Sequence, residues 1–357
     1  MAKNHGRNQA QQNPHCVCAI CCIIPPHMVD EVLKNGDNNQ RGWAIETLRV
    51  SEQFRGRREV MGFMSALNVP AGVKRRTIYD AKNTTSLPGT LVRSEGDPPS
   101  DDAAVNEAYE GAGATYDLFK EVFERNSIDD QGLRLDSTVH YDVKYDNAFW
   151  NGNQMVYGDG DGQLFDRFTK AIDVIGHELT HGITQYEAAL DYHGESGALN
   201  ESFSDVFGIL VKQRLLQQTV EQSNWLIGEG LLMPNVKGVG IRSMKEPGTA
   251  YNDAVLGKDP QPGHMNLIYT GSADNAGVHI NSGIANRAFY LAALAIGGYA
   301  WEKAGKIWYI ALRDRLRNAA GFKQAAEAMI AIAGELYGVD GPEQKAVKTA
   351  WQTVGVI

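Results

Sequence analysis

Two histidines four residues apart constrain the fold of this 357-residue chain more than any other feature of its sequence. They stand in the run His177-Glu178-Leu179-Thr180-His181. Positions i and i+4 share one face of an α-helix, so both imidazoles can reach one metal ion there. Glu178 follows the first histidine, where its carboxylate can accept a proton from a metal-bound water. The motif alone leaves open a buried helix whose two histidines have only structural partners.

A third candidate ligand, Glu201, follows His181 by twenty positions. A catalytic zinc ion needs three protein ligands and one open position for water, and His177, His181 and Glu201 supply such a set. Asp205 lies four residues after Glu201, so both carboxylates can face the first helix. We expect Asp205, together with Asn200, to orient the ligand histidines.

The amino-acid composition indicates a globular protein and argues against nucleic-acid-binding and membrane-spanning proteins. The apolar share of 43% and the charged share of 22% are ordinary for a globular chain. A net charge of -9 argues against nucleic-acid binding. No stretch reaches the ~18 to 20 apolar residues that a membrane span needs.

The four cysteines stand together near the start of the chain, so no disulfide framework can stabilise the main fold. Their spacing lacks the second ligand pair of a zinc ribbon. Metal binding, oxidation and burial as small apolar residues remain open for these cysteines: Cys16, Cys18, Cys21 and Cys22.

The local composition and apolar spacing of the sequence divide the chain into three parts. A leader spans 1–72, with its boundary somewhere within 58–76. A β-rich part follows over 73–186, and a helical part over 187–357. Strands are predicted at 77–80, 90–93 and 139–143. Helices are predicted at 29–34, 103–125, 171–187, 198–217, 281–297, 301–318 and 321–337. Apolar residues also recur at helical spacing from about 41 to 65. The fold class is α+β, with the helix that carries the two histidines joining the halves.

Several longer motifs resemble the thermolysin family of metallopeptidases. They are HELTH itself, GALNESFSD (197–205), NAFWNG (147–152), MVYGDGDG (155–162) and GVHINSG (277–283). They follow in order and cover most of the chain from about residue 77. The resemblance implies a thermolysin-like fold and a zinc-dependent endopeptidase in which Glu178 activates the water.

The resemblance also implies roles for residues outside the ligand set. His279 matches the histidine that stabilises the oxyanion, Asp274 its carboxylate partner, and Tyr192 the tyrosine that binds the same oxyanion. Further matches would hold the substrate backbone (Asn147 and Ala148), bind a peptide carbonyl (Arg242) and line an apolar pocket beyond the scissile bond (Phe165, Phe168, Val174, Ile227 and Ile241). Such a pocket predicts cleavage before Leu, Phe, Ile or Val.

Within the leader, Pro25-Pro26-His27-Met28 resembles the PPxM element of the short propeptides in protealysin-like members, with His27 replacing an aromatic residue. Those leaders block the cleft. An extended Pro-Pro segment can lie in a groove at low entropic cost. Up to Arg76 the chain carries eleven basic and six acidic residues, which favours docking on an acidic body. Contact of His27 or a cysteine with the zinc stays open. Processing is expected within 58–76, by cuts before Val60, Met61 or Phe63.

Family members often carry structural calcium near the zinc helix. Asp173 and Glu229 match calcium-ligand positions, which makes Ca²⁺ possible here. Lys212 stands where an acidic ligand is expected, and Asn224 and Leu226 replace acidic residues as well. Our hypothesis is that the Lys212 ammonium supplies the missing positive charge. The loop with Asp159 and Asp161 predicts a structural turn, with cation binding as its alternative.

Two other functions compete with an endopeptidase. A zinc aminopeptidase shares the ligand motif but needs an acidic group for the free amine, and none is visible. A latent binding protein would keep its leader permanently. The expected partners are peptide and protein substrates and the chain's own leader in cis, on a monomer. Because no clear secretory signal is present, either secretion or a cytoplasmic pool with non-classical export is expected.

Overall fold

A computed structural model describes residues 22–55 and 73–357 of the protein. Within its described part, 22–55, the leader forms two helices, α1 (Pro26–Asn35) and α2 (Asn38–Arg55). Pro26 suits the first turn of α1 because its missing N–H has no helical partner there. The helix buries Met28, Val29 and Val32 in the main hydrophobic core. Cys16, Cys18, Cys21 and the predicted cuts before Val60, Met61 and Phe63 lie outside the described residues.

Five strands form a mixed sheet in the first half of the body, in the order β2-β1-β3-β5-β4. The outer pairs β1/β2 and β4/β5 are antiparallel, whereas β1/β3 and β3/β5 are parallel. Cys22 of the leader bridges Phe149 on β4 in antiparallel fashion, so the leader continues this edge. The strands are β1 (Arg76–Thr84), β2 (Thr90–Ser94), β3 (Leu135–Tyr141), β4 (Ala148–Trp150) and β5 (Gln154–Tyr157).

The helix α3 (Ala103–Phe123) links this sheet to the helical half and confirms the periodicity over 103–125. Asp102 caps it by accepting the Ala104 N–H at 2.8 Å. Near its other end, the Phe119 and Phe123 rings pack against Phe207 with centroids 5.1 and 5.6 Å away. These aromatic contacts attach α3 to the second half.

Two long helices, α4 (Ile172–Tyr186) and α5 (Gly194–Leu216), form the centre of the molecule. Every residue of α4 from Asp173 to Thr184 is buried. A Cβ on Gly208 would lie 2.4 Å from the Asp173 carbonyl oxygen, and a Cβ on Gly176 would lie 3.1 Å from the Gly208 Cα. The two glycines therefore let the backbones approach closely, which places the polar residues of one helix against those of the other.

The second half continues with α6 (Ala273–Ile296), α7 (Ala304–Ile310), α8 (Phe322–Tyr337) and α9 (Pro342–Thr353). The predicted helix 301–318 is too long, since α7 gives way to a π-helical turn, Ala311–Arg315. The sequence analysis missed α9, which buries only Val347, Ala350 and Trp351 and so carries a short apolar stripe. Short strand pairs are β6 (Leu226–Ile227) with β7 (Arg242–Ser243), and β8 (Asn252–Asp253) with β9 (Gly257–Lys258). Among the helices of the described ranges, none has the length and apolarity to cross a membrane.

An ion cluster around His140 ties β3 to the start of α3. Its Nδ1 lies 2.9 Å from both carboxylate oxygens of Asp159, and its Nε2 lies 2.8 Å from Asp102 Oδ2. Because carboxylates accept, both ring nitrogens donate. The hydrogen bond to Asp159, helped by Asp102, outweighs partial burial and raises the pKa of His140 to about 9. The nearby Asp161 Oδ1 accepts three backbone N–H groups at 2.7–3.1 Å, as in a structural turn.

A second ion cluster joins α4, α5 and the loop after β6. The Lys212 ammonium lies 3.2 Å from Asp173 Oδ2 and 3.0 Å from Glu229 Oε2. Burial raises the pKa of Asp173, and Lys212 opposes that rise. The positive charge thus stands between the two carboxylates where the sequence analysis expects it, and we propose no calcium ion for this pair.

We predict that His140→Gln destabilises the protein at low pH only. Because the pKa of His140 is raised in the folded protein, its protonation adds to the free energy of unfolding. This contribution is complete below pH about 6.5, the pKa in the unfolded chain, and is lost as pH rises through about 9, the pKa in the folded protein. The cluster is partly exposed, so the loss at pH 6 should be about 1 kcal/mol. Urea unfolding of both proteins at pH 6 and pH 10, in a Glu178→Gln background that prevents self-digestion, measures it. An equal difference at the two pH values would contradict the assignment.

We predict that Lys212→Glu creates a calcium requirement. In calcium-free buffer the variant should lose about 3 kcal/mol of unfolding free energy, because the buried Asp173 carboxylate loses its counter-charge. Calcium at about 100 times its dissociation constant should restore about 2.7 kcal/mol. Urea unfolding with and without calcium tests this, and Lys303→Glu, on an exposed pair with Glu343, is the matched control. An equal calcium response of Lys212→Glu and wild type would refute the prediction.

Candidate metal centre and active site

Three buried side chains from α4 and α5 converge on one point. The Nε2 atoms of His177 and His181 lie 3.0 Å apart. The carboxylate oxygens of Glu201 lie 3.4 Å from the first and 3.5 Å from the second. Donor atoms around an ideal tetrahedral zinc ion, with bonds of about 2.0–2.2 Å, stand about 3.3–3.6 Å apart. The two histidine–glutamate distances match this spacing and the two histidine nitrogens lie about 0.3 Å closer, so the donor set fits zinc in its chemistry and closely in size.

The other ring nitrogens of the two histidines face hydrogen-bond acceptors. His177 Nδ1 donates to Asp205 Oδ1 at 2.8 Å. His181 Nδ1 donates to Asn200 Oδ1 at 2.8 Å and lies 3.0 Å from Ser204 Oγ. With protons on both Nδ1 atoms, the Nε2 lone pairs turn toward the shared point, as metal ligation requires.

Asp205 is fully buried and connects this donor set to the rest of the cleft. Arg242 donates to its two oxygens from Nη2 at 2.7 Å and from Nε at 2.8 Å. Asn286 on α6 donates to Oδ2 at 2.8 Å. Burial opposes the charged form, but Arg242 and the hydrogen bond from His177 lower the pKa of Asp205 to about 2. The carboxylate is thus a permanent anchor for a ligand histidine.

Glu178 lies one residue beyond the first ligand and is also buried. Its Oε2 accepts the backbone N–H of Trp150, on strand β4, at 3.2 Å. This contact points the carboxylate toward the sheet edge that the leader follows. A carboxylate in this position, between the metal donors and a peptide groove, can act as a general base.

His279 lies on α6, just after a short segment with unusual backbone torsion angles. Residues 274–276 have positive φ values of 49–64° before the regular helix begins. The turn brings Asp274 back onto His279, whose backbone N–H donates to Oδ2 at 2.9 Å and whose Nδ1 donates to Oδ1 at 2.6 Å. Burial opposes protonation, but Asp274 raises the pKa of His279. Backbone strain of this kind, maintained by its surroundings, is common at functional sites.

Tyr192 completes the polar wall beside the ligands. Its hydroxyl donates to Glu201 Oε1 and lies 3.0 Å from His279 Nε2. The structure thus brings together every residue that the sequence analysis predicted for metal binding and for oxyanion stabilisation.

The leader occupies the groove beside this site. His279 Nε2 lies 3.2 Å from the carbonyl oxygen of Cys22, and Arg242 Nη1 donates to the Ile23 carbonyl at 3.1 Å. The N–H of Ile24 donates to Asn147 Oδ1 at 3.1 Å. The chain of 22–24 therefore contacts the site directly, while the PPHM element (Pro25, Pro26, His27 and Met28) follows it. His27 itself lies 3.1 Å from the Tyr251 hydroxyl through Nε2.

The five predicted pocket residues are buried in the same hydrophobic core as Ile23. The Phe165 and Phe168 rings pack with centroids 5.9 Å apart. Ile241 and Ile227 are joined by a backbone hydrogen bond of 2.8 Å. Phe165 lines a small cavity together with Ile24, Met28 and Val29 of the leader.

The sequence analysis missed several side chains at the site. Ser204 stands four residues after Asn200 and Asn286 stands seven after His279, so helical spacing could have placed both on the correct faces. The contacts of Cys22, Ile23 and Ile24 were also missed. Their signal was the apolar pair just before Pro25-Pro26, since it matches the predicted substrate preference.

Comparisons with known proteins agree with this geometry. A family model described as the catalytic domain of thermolysin metallopeptidases matches residues 68–185. A second model, described as their alpha-helical domain, matches residues 188–356. The two matches together cover most of the chain.

Several relatives align with this chain over nearly its full length and nearly their own. An extracellular metalloprotease of Pectobacterium carotovorum subsp. carotovorum is 51% identical over 344 residues, which cover 94% of this chain and 96% of the relative. Protease PrtS of Photorhabdus sp. (strain Az29) is 49% identical over 341 residues, with 94% and 91% covered. The solved precursor of protealysin from Serratia proteamaculans is 50% identical, with a TM-score of 0.87, and covers 94% of this chain and 100% of its own. The α+β, thermolysin-like fold is thereby confirmed, and the chain is a member of the thermolysin family of metallopeptidases.

Proposed function

We propose that this metalloendopeptidase hydrolyses internal peptide bonds on the N-terminal side of bulky hydrophobic residues. The observation that carries the proposal is the leader segment 22–24, held by backbone contacts beside three buried donors spaced for zinc. Cys22, whose carbonyl faces the site, has further residues before it in the sequence, so the bond there is an internal one. This supports cleavage within a chain rather than removal of single N-terminal residues.

The side chains support a mechanism with separate roles. Zinc, held by His177, His181 and Glu201, would lower the pKa of a bound water to about 7 and polarise the substrate carbonyl. Glu178 takes the proton of the attacking water and passes it to the leaving nitrogen.

The remaining groups bind charge and backbone. Tyr192 and His279 stabilise the oxyanion, and each such donor commonly contributes about 2.7 to 4 kcal/mol to the transition state. Asn147, Ala148 and Arg242 align the peptide on either side of the cleaved bond. Alignment matters because small displacements of the reacting atoms are costly in rate.

The leader makes the enzyme an autoinhibited precursor, since it covers the groups that a substrate needs. We propose that the mature chain starts within 58–76. Lys74 pairs with Asp117 at 2.6 Å and Arg76 pairs with Glu95 at 2.6 Å, so the chain from residue 74 is already part of the body. We also propose a monomer, since one chain supplies every site residue. Secretion is supported by the name of the Pectobacterium relative.

We predict that Glu178→Gln lowers kcat by about 10²–10⁴-fold on a blocked, internally quenched peptide with Leu after the scissile bond. The reason is loss of the general base with little change in shape. Both proteins are first treated with trypsin, which cuts after basic residues such as those at 55–58, and leader loss is checked by mass. Glu121→Gln, an exposed carboxylate paired with Arg214, is the control and should retain wild-type activity.

Cleavage should occur before Leu, stop with a chelator and return with zinc. Replacing that Leu by Asp should lower kcat/KM by at least about 10-fold, because the apolar pocket cannot solvate a carboxylate. If zinc-loaded wild type without its leader leaves this and related peptides uncut, the proposed function is wrong.

A further inference from the structure

We infer that the Cys22–Ile23 peptide bond of the leader is itself a substrate of the site and a self-cleavage point of the precursor. This inference rests on the proposed function and assigns a particular bond within the chain to it. Residues 22–24 of the leader lie in the site in the register of a bound substrate.

The carbonyl of Cys22 occupies the position of the reacting group. Its oxygen lies 3.2 Å from Nε2 of His279, and the Tyr192 hydroxyl lies 3.0 Å from the same nitrogen. A carbonyl oxygen only accepts, so His279 must donate from Nε2 while Nδ1 donates to Asp274. The oxygen of this one peptide bond therefore points at His279, one of the two donors assigned to the oxyanion, and the other donor, Tyr192, lies beside it.

The chain after that bond meets the substrate-aligning groups one after another. The Ile23 N–H faces the Ala148 carbonyl at 3.5 Å, and the Ile23 carbonyl accepts from Arg242 at 3.1 Å. The Ile24 N–H then donates to Asn147 Oδ1 at 3.1 Å. Successive backbone groups of the leader contact successive groups of the groove in one direction, which fixes Ile23 as the residue after the scissile bond.

Side chains agree with this register. Ile23 has no exposed surface and packs in the main hydrophobic core, an environment that suits a bulky apolar residue. On the other side of the bond, Cys22 packs in an apolar cluster with Tyr141, Tyr145 and Phe149. The environment of this cysteine is thus that of a small apolar side chain.

The proposed step is an ordinary hydrolysis. The oxygen of one water molecule bonds to the Cys22 carbonyl carbon, and the bond from that carbon to the Ile23 nitrogen breaks. Glu178 relays the two protons of the water, one after the other, to the departing nitrogen. The products are a carboxylate at Cys22 and an ammonium group at Ile23, with no change of oxidation state.

This cut alone does not free the site. The fragment that begins at Ile23 stays attached through α1, whose Met28, Val29 and Val32 are buried in the body core. Its Ile23 and Ile24 still fill the groove. Inhibition ends only when the chain is also cut within 58–76, so the first cleavage should precede activity.

Full-length wild type, prepared without metal under reducing conditions, is given zinc, and intact mass and N-terminal sequence are followed with time. We expect the fragment 1–22 and a new N-terminus at Ile23, at a rate that is unchanged over a 20-fold range of protein concentration. Both should appear before peptidase activity, and neither in Glu178→Gln. If activity appears and the released leader still contains an intact Cys22–Ile23 bond, the inference is overturned while the proposed function survives.

Two variants test the register. Ile23→Asp should slow release of 1–22 at least 10-fold, whereas Ile23→Leu should release the same fragment within a few-fold of the wild-type rate. Release from Ile23→Asp at the wild-type rate would overturn the inference. Hydrogen exchange on metal-free, full-length Glu178→Gln adds a readout that needs no activity. The amides of Ile23 and Ile24 should exchange at least 10-fold more slowly than in an unstructured peptide, and free exchange at both would overturn the register.

Discussion

The buried carboxylate of Asp205 is the contact on which the rest of the site depends. It accepts hydrogen bonds from a ligand histidine, from Arg242 and from Asn286. A buried charge is tolerated only when it is paired and hydrogen-bonded. Moving any of these three partners away from Asp205 would therefore be costly, and their positions are fixed relative to it. The close approach of α4 and α5 at Gly176 and Gly208 makes the contact possible. Metal ligation and recognition of a peptide carbonyl are thus oriented by one group.

The leader uses the same atoms that a substrate would use. Arg242 binds both Asp205 and the Ile23 carbonyl, and His279 faces both Glu201 and the Cys22 carbonyl. Inhibition by the leader therefore requires no surface separate from the catalytic groove. What distinguishes the leader from an ordinary substrate is its attachment, since α1 is buried in the body core and retains the chain after any cut.

Sequence alone predicted the parts of this site that depend on local spacing. The histidine pair, Glu201 and Asp205 follow from helical periodicity, and the charge of Lys212 beside two acidic positions followed from the family resemblance. Strands β4 and β5 were missed, because three or four residues around Asn151-Gly152 are too few to show alternation. The positive-φ turn before His279 contains Asp274, Asn275 and Gly277, which tolerate this conformation, but Ala276 does not favour it and the turn was not predicted. The contacts of 22–24 join residues more than 120 positions apart, and no local pattern encodes such a register.

The most direct test of this account is the zinc affinity of the full-length protein, measured by competition with a chelator. Wild type and Glu178→Gln should each bind one zinc ion per chain with equal affinity. Asp205→Asn should bind it about 10–100-fold more weakly, because the ligand histidine loses its orienting partner. His181→Ala should lose stoichiometric binding, with folding of each variant checked by circular dichroism. Equal affinity of wild type, Asp205→Asn and His181→Ala would contradict the central claim that these side chains form the metal centre.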